Sequence, residues 1–375
     1  MNVKTNQMLF AVVCAVVLLG CPGPGPGLDA GTGGGTGGGA GGGDADAGID
    51  AGTDAGVDAG NPCDSIAHDL RLGTYTLAAG ATVQQTAVLP AGITQAATVG
   101  STVFGLASDD TVKQLGAFPT FTAPTTLASI RGPGDATATL FASAFLAASG
   151  NKLLAGYTKM GASGTVALID TTDAGVTYLS APGNYDATGV TTAGFLINGT
   201  GLGTVTSAGA YALNANTQAT TAFANFDAAW SGSGLIAATT NGVALIGYYS
   251  SAPMAGNYVR AVAPARYAGT VPFALAPEVL VASPDATDDV LDLASVGMDA
   301  VVAMGAFDAT FTPRVSHVDR IALTVNGTAV TAAAPVRLLS TTDTCSNVLF
   351  IQSNGPRLLV GIQDKNGRRL LDIKP

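Results

Sequence analysis

The most constraining feature of this chain is a spacing. From Cys63 to Pro375, short runs rich in Val, Ile, Leu, Thr and Tyr alternate with Gly, Asn, Asp and Ser. Units of this kind begin near Thr102, Lys152, Gly194, Gly234, Asp292 and Asn347, about 40 to 58 residues apart. No stretch carries a 3.6-residue apolar stripe with caps, so the pattern is β almost throughout. Five Asn-Gly dipeptides begin at Asn198, Asn241, Asn326, Asn354 and Asn366, and most fall between two strand-like runs. Asn-Gly accepts the positive φ angles of a tight turn, so 234–249 and 347–373 read as hairpins.

Recurrence at this period is what blades of four short antiparallel strands produce. The expectation is all-β: a β-propeller of six blades, or of seven with a further unit in the sparse stretch 252–291. Tandem β-sandwich modules are the alternative. Several runs (TVALI, GVALIGYY, NVLFI, RLLVGI) are apolar at both alternating positions, as strands buried on both faces should be. With aromatics at 6%, the chain lacks the ring girdles of a membrane barrel. The segments GTVALIDTTDAGVTYL (164–179) and GAYALNANTQATTAF (209–223) resemble hairpins of repeat propellers built on ALDxxTGxxxW blades, without their tryptophan.

The N-terminus has a different logic. Residues 1–7 are polar with one lysine, and Met8 to Leu19 is an unbroken apolar run. Twelve residues are too few to span a bilayer, which takes about 20, and suit an export signal. Leu18-Leu19-Gly20-Cys21 follows, and it resembles the lipobox of bacterial lipoproteins. That resemblance implies cleavage before Cys21, a diacylglyceryl thioether on its sulfur and an acyl chain on its amine. Two chains suffice for stable anchoring. Pro22 stands where inner-membrane retention would want Asp, so the resemblance implies the outer membrane or the cell surface.

The expected organisation is therefore signal peptide 1–20, lipidated Cys21 with a Gly/Asp/Ala-rich tether to residue 62, and one folded domain, 63–375. The tether (PGPGPG, GGGTGGGAGGGDAD and four DAG steps) buries too little apolar surface to offset the entropy of ordering. Its random-coil reach is roughly 35 Å. The folded part carries 15 basic and 20 acidic side chains, a balance that argues against nucleic acid as a partner.

Of four cysteines, Cys14 lies in the signal and Cys21 takes lipid. Cys63 and Cys345 remain, in an oxidising compartment. They sit at the two ends of the folded part, and in propellers the chain ends commonly meet in one closing blade, so a Cys63–Cys345 disulfide is expected. The histidines, His68 and His317, read as hydrogen-bonded rather than catalytic. No GxSxG, HExxH or P-loop occurs, and the Gly-rich NGTGLGT (198–204) reads as a hairpin turn.

Two groups remain as candidate sites. Asp285, Asp288, Asp289 and Asp292 form the densest carboxylate group, and calcium is the cation such an oxygen-rich loop would take. The only tryptophan, Trp230, lies near Tyr248, Tyr249, Tyr258 and Tyr267, with Arg260 and Arg266 among them. Such rings form stacking platforms for a carbohydrate or a protein ligand. The sequence thus predicts a membrane-anchored binding or scaffolding module. The rival expectation is a propeller hydrolase or lyase using Asp residues gathered at the central channel, possibly with calcium.

Overall fold

The computed structural model describes residues 62–133, 140–159, 164–181, 185–191, 194–200, 208–267, 272–309 and 312–375. The signal, Cys21 and the tether up to residue 61 lie outside them.

A single 3-10 turn (Pro62–Asp64) leads into β1 (Thr76–Leu77) and β2 (Thr82–Val88). Six antiparallel sheets follow, each beginning with its innermost strand. Blade 1 is β3 (Ile93–Val99), β4 (Thr102–Ala107), β5 (Thr111–Ala117) and β6 (Thr125–Ser129). Blade 2 is β7 (Leu140–Ser149), β8 (Lys152–Lys159), β9 (Gly164–Asp170) and β10 (Val176–Ala181). Blade 3 comprises β11 (Tyr185–Thr191), β12 (Gly194–Thr200), β13 (Ala208–Asn214) and β14 (Thr220–Asn225). Blade 4 has β15 (Ser231–Ala238), β16 (Ala244–Ser250) and β17 (Gly256–Val262). The chain then passes through helix α1 (Pro264–Tyr267) and β18 (Phe273–Ala274), which pairs in parallel with β14 on blade 3. It returns to complete blade 4 with β19 (Val279–Ala282).

Blade 5 is β20 (Asp289–Val296), β21 (Asp299–Phe307), β22 (Pro313–Ile321) and, after an inserted hairpin β23 (Leu323–Asn326) and β24 (Ala329–Ala332), β25 (Val336–Ser340). Blade 6 is β26 (Asn347–Asn354), β27 (Arg357–Asp364) and β28 (Gly367–Lys374), with β2 as its outermost strand. The innermost strands touch in a ring, β3 to β7 to β11 to β15 to β20 to β26 and back to β3. The protein is a six-bladed β-propeller. The sparse stretch 252–291 holds no seventh blade: it supplies the rest of blade 4 and the extra strand of blade 3.

Six apolar clusters form the core, one in each gap between neighbouring blades. A strand sandwiched between blades must be apolar on both faces: in β16 all but one residue is buried, and in β27 the five consecutive residues 358–362 are. Asn-Gly turns sit between strands at 241, 326, 354 and 366, with φ of 83°, 61°, 61° and 107° at the glycines. Asn198-Gly199 is no turn. It lies inside β12, and the buried Asn198 Nδ2 donates to Leu235 O (2.8 Å) and Gly247 O (2.7 Å), tying blade 3 to blade 4.

Closure is reinforced where the chain ends meet. Cys63 and Cys345 form a disulfide with a Cα–Cα distance of 5.4 Å. Lys365 Nζ donates to the carbonyls of Cys63, Asp64 and Ile66 at 3.1 to 3.2 Å. Beneath them the fully buried Asp364 carboxylate meets His68 Nδ1 at 3.0 Å and Arg369 Nη2 at 2.8 Å. Burial raises the Asp364 pKa, but hydrogen bonds from Arg369 and His68 outweigh it and hold the carboxyl below its usual range. Tyr75 Oη donates to Val315 O (2.6 Å) and accepts from Val348 N (3.2 Å), bridging blades 5 and 6.

Candidate functional site

Blade 4 carries the aromatic group. Tyr248 on β16 and Tyr258 on β17 are paired in register, which sets their rings on one face with centroids 5.5 Å apart and planes 15° apart. Trp230, just before β15, folds over Tyr248 at 3.7 Å with an 18° interplanar angle. Arg260 lies two residues beyond Tyr258, hence on the same face. Its guanidinium carbon is 5.4 Å from the Trp230 centroid and 5.7 Å from that of Tyr248. Arg260 Nε donates to Tyr248 Oη at 3.1 Å, and Nη1 donates to Glu278 O. Tyr258 Oη donates to Met254 O (2.7 Å) and accepts from Met254 N (3.1 Å), fixing the loop 251–255. Burial raises the Tyr248 pKa and the Arg260 hydrogen bond opposes that, leaving a neutral phenol.

Tyr248 and Tyr258 are buried in the core between blades 3 and 4, at 3% and 5% exposure, with the partly exposed Trp230 packed against them. Together they line a groove of about 360 Å³ whose walls carry half-exposed Met254 and Leu280. The polar tips of Tyr248 and Tyr258 are bound internally. The other aromatic candidates lie elsewhere. Tyr249 points to the opposite face by strand alternation. Tyr267 packs on Phe223 (5.3 Å) and donates to Gly242 O, at the far end of β16. Arg266 covers Phe273 (4.4 Å) and pairs with Glu278 (2.9 Å).

The four candidate carboxylates do not converge. Asp285 Oδ1 accepts from the backbone of Thr287 and Asp288, capping its own turn. Asp288 Oδ2 accepts from Ser316 Oγ at 2.9 Å. Asp289 is held by Asn257 N (2.7 Å), Asn257 Nδ2 (3.0 Å) and Val290 N (2.8 Å). Burial outweighs those bonds and pushes its pKa up to about 6. Asp292 accepts from Leu293 N (2.8 Å) and Ile351 N (2.9 Å) on the axis. Among the described residues, no three His, Cys, Asp or Glu side chains gather closely enough to hold a metal ion.

A second groove, of about 350 Å³, lies on the blade-5 side of β19. His317 stands in it between Asp288 (Nδ1, 3.5 Å) and Asp319 (Nε2, 3.4 Å), and Arg337 Nε binds Asp319 at 2.7 Å. Ser316 Oγ lies 2.7 Å from His317 Nδ1. Consecutive strand residues should face apart, but the register slips there, with Met304 opposite His317 and Gly305 opposite Val315. Gly305 is required at this bulge: a Cβ would sit 2.0 Å from Arg314 O.

The channel is lined by all six innermost strands, including Gln95, Thr188, Asp292 and Ser353, and it encloses only about 20 Å³. That is space for about one water. Asp292 is the one aspartate among its described lining residues.

No protein family and no curated protein matches the chain in sequence. Solved structures do match it in fold. A putative oxidoreductase (glucose dehydrogenase) from Thermus thermophilus aligns over 78% of this chain and 100% of its own, at 11% identity and TM-score 0.50. The PQQ domain of pyranose dehydrogenase from Coprinopsis cinerea, in its holo form, aligns over 80% and 97%, also at 11% identity and TM-score 0.50. Such likeness establishes the propeller fold and nothing finer. No cofactor is carried over from these neighbours.

Proposed function

We propose that this protein is an exported binding module, held on the outer membrane or cell surface by lipid on Cys21, and that its ligand docks on the ring stack of blade 4. The carrying observation is Trp230, Tyr248 and Tyr258 stacked, edged by Arg260 and opening on a groove of about 360 Å³. Trp230 and Arg260 are the partly exposed groups of the stack and would carry the contact, with the two buried tyrosines holding them in place.

Because Trp230 is the only tryptophan, its fluorescence reports on the groove without a label. The full chain in detergent, titrated with a panel of soluble oligosaccharides and peptides, is expected to show a Trp230 emission shift and protection from acrylamide quenching with at least one member. A panel in which no member does either would overturn the reading.

A further inference from the structure

The two grooves flank a single strand. β19 is the outermost strand of blade 4, paired with β17 on one side and with no strand on the other among the described residues. Leu280 is in register with Arg260, so it shares the ring-bearing face. Val279, Val281 and Ala282 pack instead against the cluster between blades 4 and 5, where the inserted hairpin β23–β24 lies against this face of β19 while forming a two-stranded sheet of its own. The first groove opens on the Leu280 side and the second on the Val281 side, and Leu280 and Ser283 border both.

We infer that the partner of this protein is an extended peptide segment that adds as a fifth strand to the free edge of β19. This rests on the proposed function and names its partner class. A strand joining that edge sends alternate side chains to opposite faces of the sheet. Here both faces offer a groove, of about 360 and 350 Å³, each within the range of ordinary ligand pockets. Main-chain hydrogen bonds to the edge would supply affinity, and the grooves would select side chains.

The two grooves select differently. On the Leu280 side the stacked rings, Met254 and Leu280 favour a large apolar side chain, most strongly an aromatic one that can join the stack. On the Val281 side Asp285 and Asp319 line the groove with His317 and one guanidinium, Arg337, which is already bound to Asp319. Asp288 lies behind His317 at 3.5 Å. Carboxylates outnumber the guanidinium, so that groove favours a basic side chain. The predicted partner therefore alternates apolar and basic residues over a short extended stretch.

The test uses the full chain in detergent and an octapeptide in which phenylalanine and lysine alternate, read by Trp230 emission. Two analogues accompany it: one N-methylated at every backbone nitrogen, which keeps the side chains but cannot donate to an edge, and one with glutamate replacing each lysine. The parent should bind, and each analogue should bind at least tenfold more weakly. An N-methylated analogue within tenfold of the parent would show that the grooves hold side chains without strand addition, which overturns the inference and leaves the groove reading standing. A glutamate analogue within tenfold overturns the assignment of the second groove. Silence from the parent also overturns the inference, while the groove itself stays answerable to the oligosaccharide and peptide panel.

Discussion

Blades 4 and 6 spend their side chains in opposite ways. Blade 6 is assembled from both ends of the domain, and where those ends meet three charged or polar groups are buried and paired: His68, Asp364 and Arg369, beneath a disulfide and a lysine-capped turn. Blade 4 is continuous in sequence except for one excursion, and its largest side chains face a groove. One blade is reinforced where ring closure would otherwise be weakest. The other sets rings of the core between blades 3 and 4 along the wall of a groove. If that contrast is right, substitutions in blade 6 should act on stability, and those around blade 4 on recognition or on local pH response.

The largest effect should follow loss of the disulfide. A cross-link over 282 residues stabilises by up to about 5–6 kcal/mol in the chain-entropy model. Cys63→Ser with Cys345→Ser should lower the guanidinium midpoint markedly, and reductant should do the same to the native chain. Equal midpoints would break the contrast at once. Next comes Asp364→Asn, which leaves Arg369 buried without its counter-charge and should cost about 3–5 kcal/mol at neutral pH. The folded carboxyl titrates below the unfolded one, so its stabilisation is complete above the unfolded value and is lost as pH falls through the folded value. Acid melts below about pH 4 should therefore be steeper in the native chain than in the variant.

Asp289 should behave in the reverse sense. Its folded pKa, about 6, lies above the unfolded one, so protonation favours the fold and stability falls as pH rises between the two values. Asp289→Asn should gain about 1–2 kcal/mol at pH 8, and the gain should vanish at low pH. A variant whose melting retains the native slope between pH 4 and 6 would locate that titration elsewhere. The smallest effect on folding, essentially none, belongs to Cys21→Ser. That variant should unfold like the native domain yet appear in the soluble fraction after export. Retention on membranes after a high-salt wash would count against lipid as the sole anchor.

Much of the architecture was legible because blade spacing is a sequence period, but the phase was not uniform. The units starting at Thr102, Lys152 and Gly194 are second strands (β4, β8, β12), whereas Gly234, Asp292 and Asn347 fall in first strands (β15, β20, β26). The innermost strands of blades 1 and 3 carry many small residues around a narrow axis (ITQAATV, YDATGVT), so their hydropathy is weak where their geometry is most constrained. The Cys63–Cys345 pair was readable by elimination. Of the aromatic group, Trp230, Tyr248, Tyr258 and Arg260 come together, while Tyr249 and Tyr267 are separated by strand alternation and by the excursion through α1. Proximity in sequence misled for the aspartates, because each carboxylate on a turn or strand start turns to a different partner. Alternation misled for Ser316 and His317, which only a bulge brings together, and no pattern in the residues marks that bulge except Gly305 across the strand pair.

The pairing of β2 with β28 also sets an order of events. β2 is among the first folded segments to leave a ribosome or a translocation pore, and its one strand partner ends at Lys374, next to the last residue. Until that partner emerges blade 6 lacks its outer strand and the ring stays open. The ring can therefore close only after β28 has emerged, so β2 waits for a strand that is made about 280 residues later.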